Sequence, residues 1–279
     1  MSHIVAIVAA IGCSLCNGIS TVQQKIGADQ EDSGKSFDIM LMLRLFKNTP
    51  YVIGTALELS GYGLSLVALR VLPLFLVQSL IAASVVVTAI GERIFIHNKI
   101  SKRTIRAIGA VLAGLLLLSI GAVPSHASQG SSHTRILLEV SPLIFAALGL
   151  IFIYIRSSVS AMVIAALAGL SFGNTSTIGR IIIYPHPFWK IIENPETWGI
   201  IASALLGQYL FTVALQRATA TKGNAMMIAL QTLGPAACGL LFFNDKIRSG
   251  FEVVVIIGAA LVIMGCVATA VDETPTATI

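Results

Sequence analysis

Glu58 is the one acidic residue set well inside an apolar stretch of this chain, and Tyr62 and Ser65 follow it at i+4 and i+7 on one helical face. A carboxyl group placed so could carry a proton or hold a cation. It could equally lie near the interface, or serve as a neutral structural acid bonded to a neighbouring helix. Other polar side chains recur at helical spacing: Ser14, Asn17, Thr21 and Gln24; Ser171 and Asn174; Gln208, Thr212 and Gln216. Gln78, Thr88, Asn224, Gln231 and Pro235 stand in two further apolar stretches. Interhelical hydrogen bonding would explain any one of these. Polar stripes on several helices together suggest a wet cavity. The candidate transport cavity is therefore Glu58, Tyr62, Asn17, Thr21, Gln78, Asn174, Gln208 and Asn224, with Glu58 also the candidate metal ligand. No paired catalytic groups, Gly-rich phosphate loop, metal-spaced His pair or nucleophile elbow is visible, so neither an enzyme nor a cofactor is expected.

The elements that position these residues are membrane spans. Of 279 residues, 56% are hydrophobic and only 11% charged, against about 25% charged in an ordinary soluble domain. Mean hydropathy is +0.88. Apolar stretches long enough to cross about 30 Å of hydrocarbon recur along the whole chain. They fall at 4–26, 51–70, 73–96, 103–123, 136–155, 158–183, 197–217, 222–243 and 250–271. Stretch 36–49 is apolar but short and broken by Arg44 and Lys47; it reads as an interfacial helix or the remnant of a tenth span. The aromatic connector 184–196 reads as an interfacial elbow, 124–134 as a polar linker, and 272–279 as a disordered tail. Cys13, Cys16, Cys238 and Cys266 lie inside spans and read as small packing residues.

The net charge of +5 does not indicate nucleic-acid binding, because the basic residues sit in short loops between spans. Loops after odd-numbered spans hold twelve of the eighteen Lys and Arg residues, among them Lys25, Arg93, Lys102, Arg103, Arg106, Arg217 and Lys222. The positive-inside rule then predicts a multi-pass cell-membrane protein with its N-terminus outside and its C-terminus cytoplasmic. No basic region precedes the first span, so a cleaved signal peptide is not expected.

The chain also repeats itself. Gly61-Tyr62-Gly63-Leu64-Ser65-Leu66-Val67-Ala68-Leu69 is answered by Gly207-Gln208-Tyr209-Leu210-Phe211-Thr212-Val213-Ala214-Leu215, and Asn98-Lys99-Ile100 by Asp245-Lys246-Ile247. Ile108-Gly109-Ala110 is answered by Ile257-Gly258-Ala259, and Ser20-Thr21-Val22 by Ser176-Thr177-Ile178, always in the same order and 146 to 156 residues apart. Spans one to four correspond to six to nine, with span five between them. Partners five spans apart face opposite ways. The expected fold is all-α and integral to the membrane: about nine transmembrane helices in two inverted four-helix repeats, 1–123 and 158–271, joined by a polar linker and linker helix at 124–157. Inverted repeats are a device of secondary transporters.

The run VALR…LPLFLVQSLIAASVVVTAIGERIFIHNKIS…IGAVLAGLLLL, with its Gly91-Glu92-Arg93, resembles the drug/metabolite transporter superfamily, the EamA-like proteins among them. The four-span unit resembles the small multidrug resistance proteins, and the 4+1+4 arrangement is similar to the NIPA-like magnesium transporters. The resemblance implies that Glu92 is a structural signature, by way of a local ion pair or a helix-end contact. It also implies close packing of span four on span nine through Gly109, Ala110, Gly114, Gly258, Ala259 and Gly265. Two departures bear on substrate. Asn17 stands where the small multidrug resistance proteins carry a coupling glutamate, and Tyr62 where the NIPA-like proteins carry one, with Glu58 a turn away. The expected function is a secondary transporter of a small metabolite or amphiphile. A divalent-cation transporter centred on Glu58 and a non-transporting scaffold or lipid-handling partner are the alternatives. The expected partners are the small-molecule or ion substrate and the lipid bilayer, with a homodimer left open.

Overall fold

In the computed structural model the described residues are 3–31, 40–69, 77, 81–98, 100–121, 131–155, 157–181 and 192–271. They form α1 (His3–Asp29), α2 (Met40–Leu45), α3 (Thr49–Leu69), α4 (Ser84–Gly91), α5 (Lys102–Gly121) and α6 (Ser132–Tyr154). α7 (Ser158–Ile181), α8 (Pro195–Arg217), α9 (Ala220–Phe242) and α10 (Glu252–Val271) complete the bundle. A π-helical turn, Glu92–Ile96, continues α4. Among the described residues seven helices, α1 and α5 to α10, are long and apolar enough to cross a membrane. An α-helix suits hydrocarbon because it satisfies its own backbone polar groups.

α2 is six residues long, about 9 Å at 1.5 Å per residue, and too short to span. It buries Leu41 and Leu45 and exposes Met40 and Leu43; residues 36–39 of the stretch 36–49 lie outside the described residues. The third expected span is described only from residue 81 onward, apart from Val77. The connector 184–191, most of the linker 124–134, the tail and Gln78 lie outside the described residues.

Local signals set several helix ends. Ser131 caps α6 by accepting from the Thr134 N–H, and Thr219 caps α9 by accepting from the Lys222 N–H. Pro195 opens α8 at its first turn, where no intrahelical N–H is needed. His97 (φ 59°) and Asn244 (φ 55°), the two non-glycine residues with positive φ among those described, follow α4 and α9. They stand 147 residues apart, the spacing that relates Asn98-Lys99-Ile100 to Asp245-Lys246-Ile247.

Close approaches at small residues fix the helix directions. On α1 and α3, Gly61 meets Asn17, Gly54 meets Ser20 and Gln24, and Gly27 meets Tyr51, so the two run antiparallel. α7 and α8 do the same: Gly207 lies on the Phe172 ring and Gly199 near Ile178. α1 and α4 run parallel, Gly18 against Ser84 and Val87 and Gly91 against Val22. So do α7 and α9, Gly169 against Met227 and Gly173 against Gln231 and Pro235. α5 and α10 form an antiparallel seam, where a Cβ on Gly114 would lie 2.5 Å from the Gly258 carbonyl oxygen and one on Gly265 2.7 Å from that of Ala107. This is the packing of span four on span nine that the sequence predicts; Gly109 takes no part and faces open space.

These directions put the C-terminal ends of α1, α4, α6, α8 and α10 on one side, with the N-terminal ends of α5, α7 and α9. That side carries Lys25, Arg93, Lys102, Arg103, Arg106, Arg217 and Lys222, and is called the basic end here.

Candidate functional site

α8 lies against α1 and α3, and the polar residues of all three meet there. Tyr51, on the first turn of α3, is fully buried. Its hydroxyl bonds Thr212 Oγ1 at 2.7 Å and accepts from Gln208 Nε2 at 2.9 Å, both on α8. Two turns further along α3, Glu58 Oε2 accepts from Gln24 Nε2 of α1 at 2.7 Å. Gln24 is 1% exposed and Glu58 half-buried, so the carboxyl group is turned toward α1 rather than lipid. The result is a layer of amide, phenol, hydroxyl and carboxyl groups between the first and last thirds of the chain. Such groups can exchange partners with a small polar molecule without creating a buried charge.

Toward the basic end this layer is closed by charged contacts. Lys25, 5% exposed, donates from Nζ to the Leu215 carbonyl of α8 and to Asp29 Oδ1, each at 2.7 Å. Gln216 Nε2 donates to the Ala28 carbonyl at 3.0 Å. An ammonium at the last carbonyls of a helix meets the negative end of its dipole. On the far side of the same turn the chain begins α9, and there Glu92 supplies the opposite charge. Fully buried, its carboxylate accepts from the backbone N–H groups of Ala220 (3.1 Å) and Thr221 (2.8 Å), the Thr221 hydroxyl, and Asn98 Nδ2 (3.1 Å). The α8–α9 turn is thus held between a cation at the end of one helix and an anion at the start of the next. Glu92 is the helix-end contact the sequence allows, but on a helix 128 residues away rather than beside Arg93.

The remaining candidate residues fall into three groups. Asn174 (Nδ2 to the Leu138 carbonyl, 3.0 Å, and to Ser203 Oγ, 2.9 Å) ties α7 to α6 and α8. Asn224 donates to Thr88 Oγ1 at 2.7 Å, and Thr88 to the Gly18 carbonyl, joining α9, α4 and α1. Thr21 is buried and bonds the Asn17 carbonyl within α1, and Asn17 itself lies against Gly61. Tyr62, by contrast, is 63% exposed and stands outside the layer that holds Glu58. Among the described residues no three His, Cys, Asp or Glu side chains gather as a metal site would need. The sequence reading did not single out Tyr51. It begins a span, where an aromatic ring usually marks the interface, and its only signal was a position seven residues before Glu58.

Together these elements define an all-α, multi-pass integral membrane protein of transporter-like build, its buried polar layer lying between helices from the two ends of the chain. Set beside known proteins, the chain matches no family model, no curated protein and no solved structure.

Proposed function

We propose that the protein is a secondary transporter of the drug/metabolite type, moving a small polar metabolite or amphiphile by alternating access. Two inverted repeats, 1–123 and 158–271, would rock about the layer of Gln24, Tyr51, Glu58, Gln208 and Thr212. The observation that carries this reading is the pairing of directions. α1, α3, α4 and α5 each run opposite to α7, α8, α9 and α10 respectively, and the left-handed caps His97 and Asn244 keep the repeat spacing. Inverted halves meeting at buried polar groups are the architecture from which alternating access follows. The clamp of Lys25 and Glu92 on the α8–α9 turn supports a state closed at the basic end, which the loop charges predict to be cytoplasmic.

The test is solute flux into sealed vesicles holding the purified protein. A metabolite panel and Mg²⁺ are supplied in separate arms, with Glu58→Gln and Tyr51→Phe beside the native chain. Metabolite flux that Tyr51→Phe slows supports the reading. Mg²⁺ flux abolished by Glu58→Gln would replace it with the cation transporter. No flux of any solute, in vesicles where the protein is folded and oriented both ways, would leave the scaffold.

A further inference from the structure

α5 begins with three basic residues, Lys102, Arg103 and Arg106, and α10 passes beside it in the opposite direction. Small side chains keep the two helix surfaces low, and a groove of about 580 Å³ opens between them, lined by Arg103, Arg106, Ala107, Ala110, Met264 and Ala268. The groove has polarity. Its arginines stand on the first turns of α5, whereas Met264 lies seven residues before the end of α10, about 10 Å deeper at 1.5 Å per residue. Ile105, Ile263, Met264 and Val267 around it are all 57–58% exposed, so the groove faces the hydrocarbon. Among the described residues neither arginine pairs with a carboxylate; Arg106 uses its Nε on the Lys102 carbonyl at 3.3 Å.

We propose that this groove binds an anionic phospholipid, its phosphate held by Arg103 and Arg106 and an acyl chain laid over Ala110 and Met264. Guanidinium groups grip phosphate oxygens in pairs of parallel hydrogen bonds, and basic pockets between transmembrane helices are suited to acidic headgroups. A second copy of the chain docking through the same face would cover the apolar floor, but the described residues of α5 and α10 on that face would bring it no counter-charge. α5 has no acidic residue, and α10 has only Glu252, at its opposite end.

The experiment is native mass spectrometry of the full chain in detergent, titrated separately with phosphatidylglycerol, phosphatidylcholine and inorganic phosphate. The native protein should retain phosphatidylglycerol about tenfold more tightly than phosphatidylcholine, a difference of roughly 1.4 kcal/mol. R103Q/R106Q should erase that preference. Ala110→Leu, which keeps the charges but fills the floor, should weaken retention of the lipid, and Lys102→Gln should leave it unchanged. The proposal is overturned if R103Q/R106Q keeps the preference or if Ala110→Leu binds as the native chain does. It is overturned equally if inorganic phosphate binds as well as the lipid, or if the α5–α10 face is found buried in a dimer. Should R103Q/R106Q fail to fold, Ala110→Leu and Ala268→Leu decide the matter alone.

Discussion

The carboxylate of Glu92 accepts the backbone N–H of Thr221 at 2.8 Å and the Thr221 hydroxyl as well, binding the end of α4 to the start of α9. A helix start leaves N–H groups without partners inside the helix, and two of those on α9 end on this one side chain. The contact therefore completes a helix and joins two parts of the chain at once.

Glu92→Gln keeps the shape but removes the charge, and an amide can turn only one oxygen toward α9. The expected loss is about 1–3 kcal/mol of stability, read as a lower melting temperature in detergent. Glu92→Ala should cost more, because it also strands the Asn98 amide. Equal melting temperatures for the native protein and both variants would show that the contact does not hold the two elements together.

Lys25→Met tests the other arm of the clamp. It leaves Asp29 and the Leu215 carbonyl without their shared donor. On the alternating-access reading it should free the basic end to open. Cysteines placed at Ala28 and Gln216, which a side-chain-to-backbone bond now joins, should label faster with a membrane-impermeant thiol reagent in the Lys25→Met background. An unchanged labelling rate would remove Lys25 from the closing contacts.

Tyr51→Phe deletes a single buried oxygen and leaves Gln208 Nε2 without its acceptor. An unpaired buried amide costs about 1–3 kcal/mol, so both stability and the apparent affinity for any transported solute should fall. If the hydroxyl also meets the solute rather than only gluing α3 to α8, the double variant Tyr51→Phe/Gln208→Leu should regain native stability without regaining transport. Recovery of both would place the solute elsewhere.

The α5–α10 seam gives a contrast between two glycines five residues apart on α5. A side chain at Gly114 would run into the Gly258 carbonyl and Val262, whereas one at Gly109 would meet nothing within 4 Å. Gly114→Val should destabilise by about 1–3 kcal/mol through overpacking. Gly109→Ala should be neutral or slightly stabilising, since alanine favours the helix. Thermal melts of the two variants decide it, and a neutral Gly114→Val would mean the seam is looser than these distances.

Much of the architecture was legible because it is written in run lengths. Apolar stretches of about 20 residues mark helices whatever their neighbours. Which polar residue meets which was not legible, because that depends on the rotation of each helix about its axis. Glu58, Tyr62 and Ser65 illustrate the limit. At about 100° per residue, Tyr62 lies some 40° to one side of Glu58 and Ser65 about 20° to the other. Ser65 is buried, Glu58 half-buried and Tyr62 exposed, so the edge of the packed face passes through Glu58. Spacing alone could not locate that edge. Lys25 was counted only as a loop charge, and nothing in its sequence neighbourhood reveals a carbonyl acceptor 190 residues away.

Glu92 has no counterpart at the repeat spacing: 147 residues on stands Gly239, whose bare backbone leaves room for the Asp245 carboxylate. Were the two halves identical and inverted, closing one end or the other would give the same state turned over, and the two would be equally populated. The difference between Glu92 and Gly239 lifts that degeneracy. On the alternating-access reading the chain would rest closed at the basic end, with Glu92 adding to the Lys25 contacts there a clamp for which Gly239 offers no side chain.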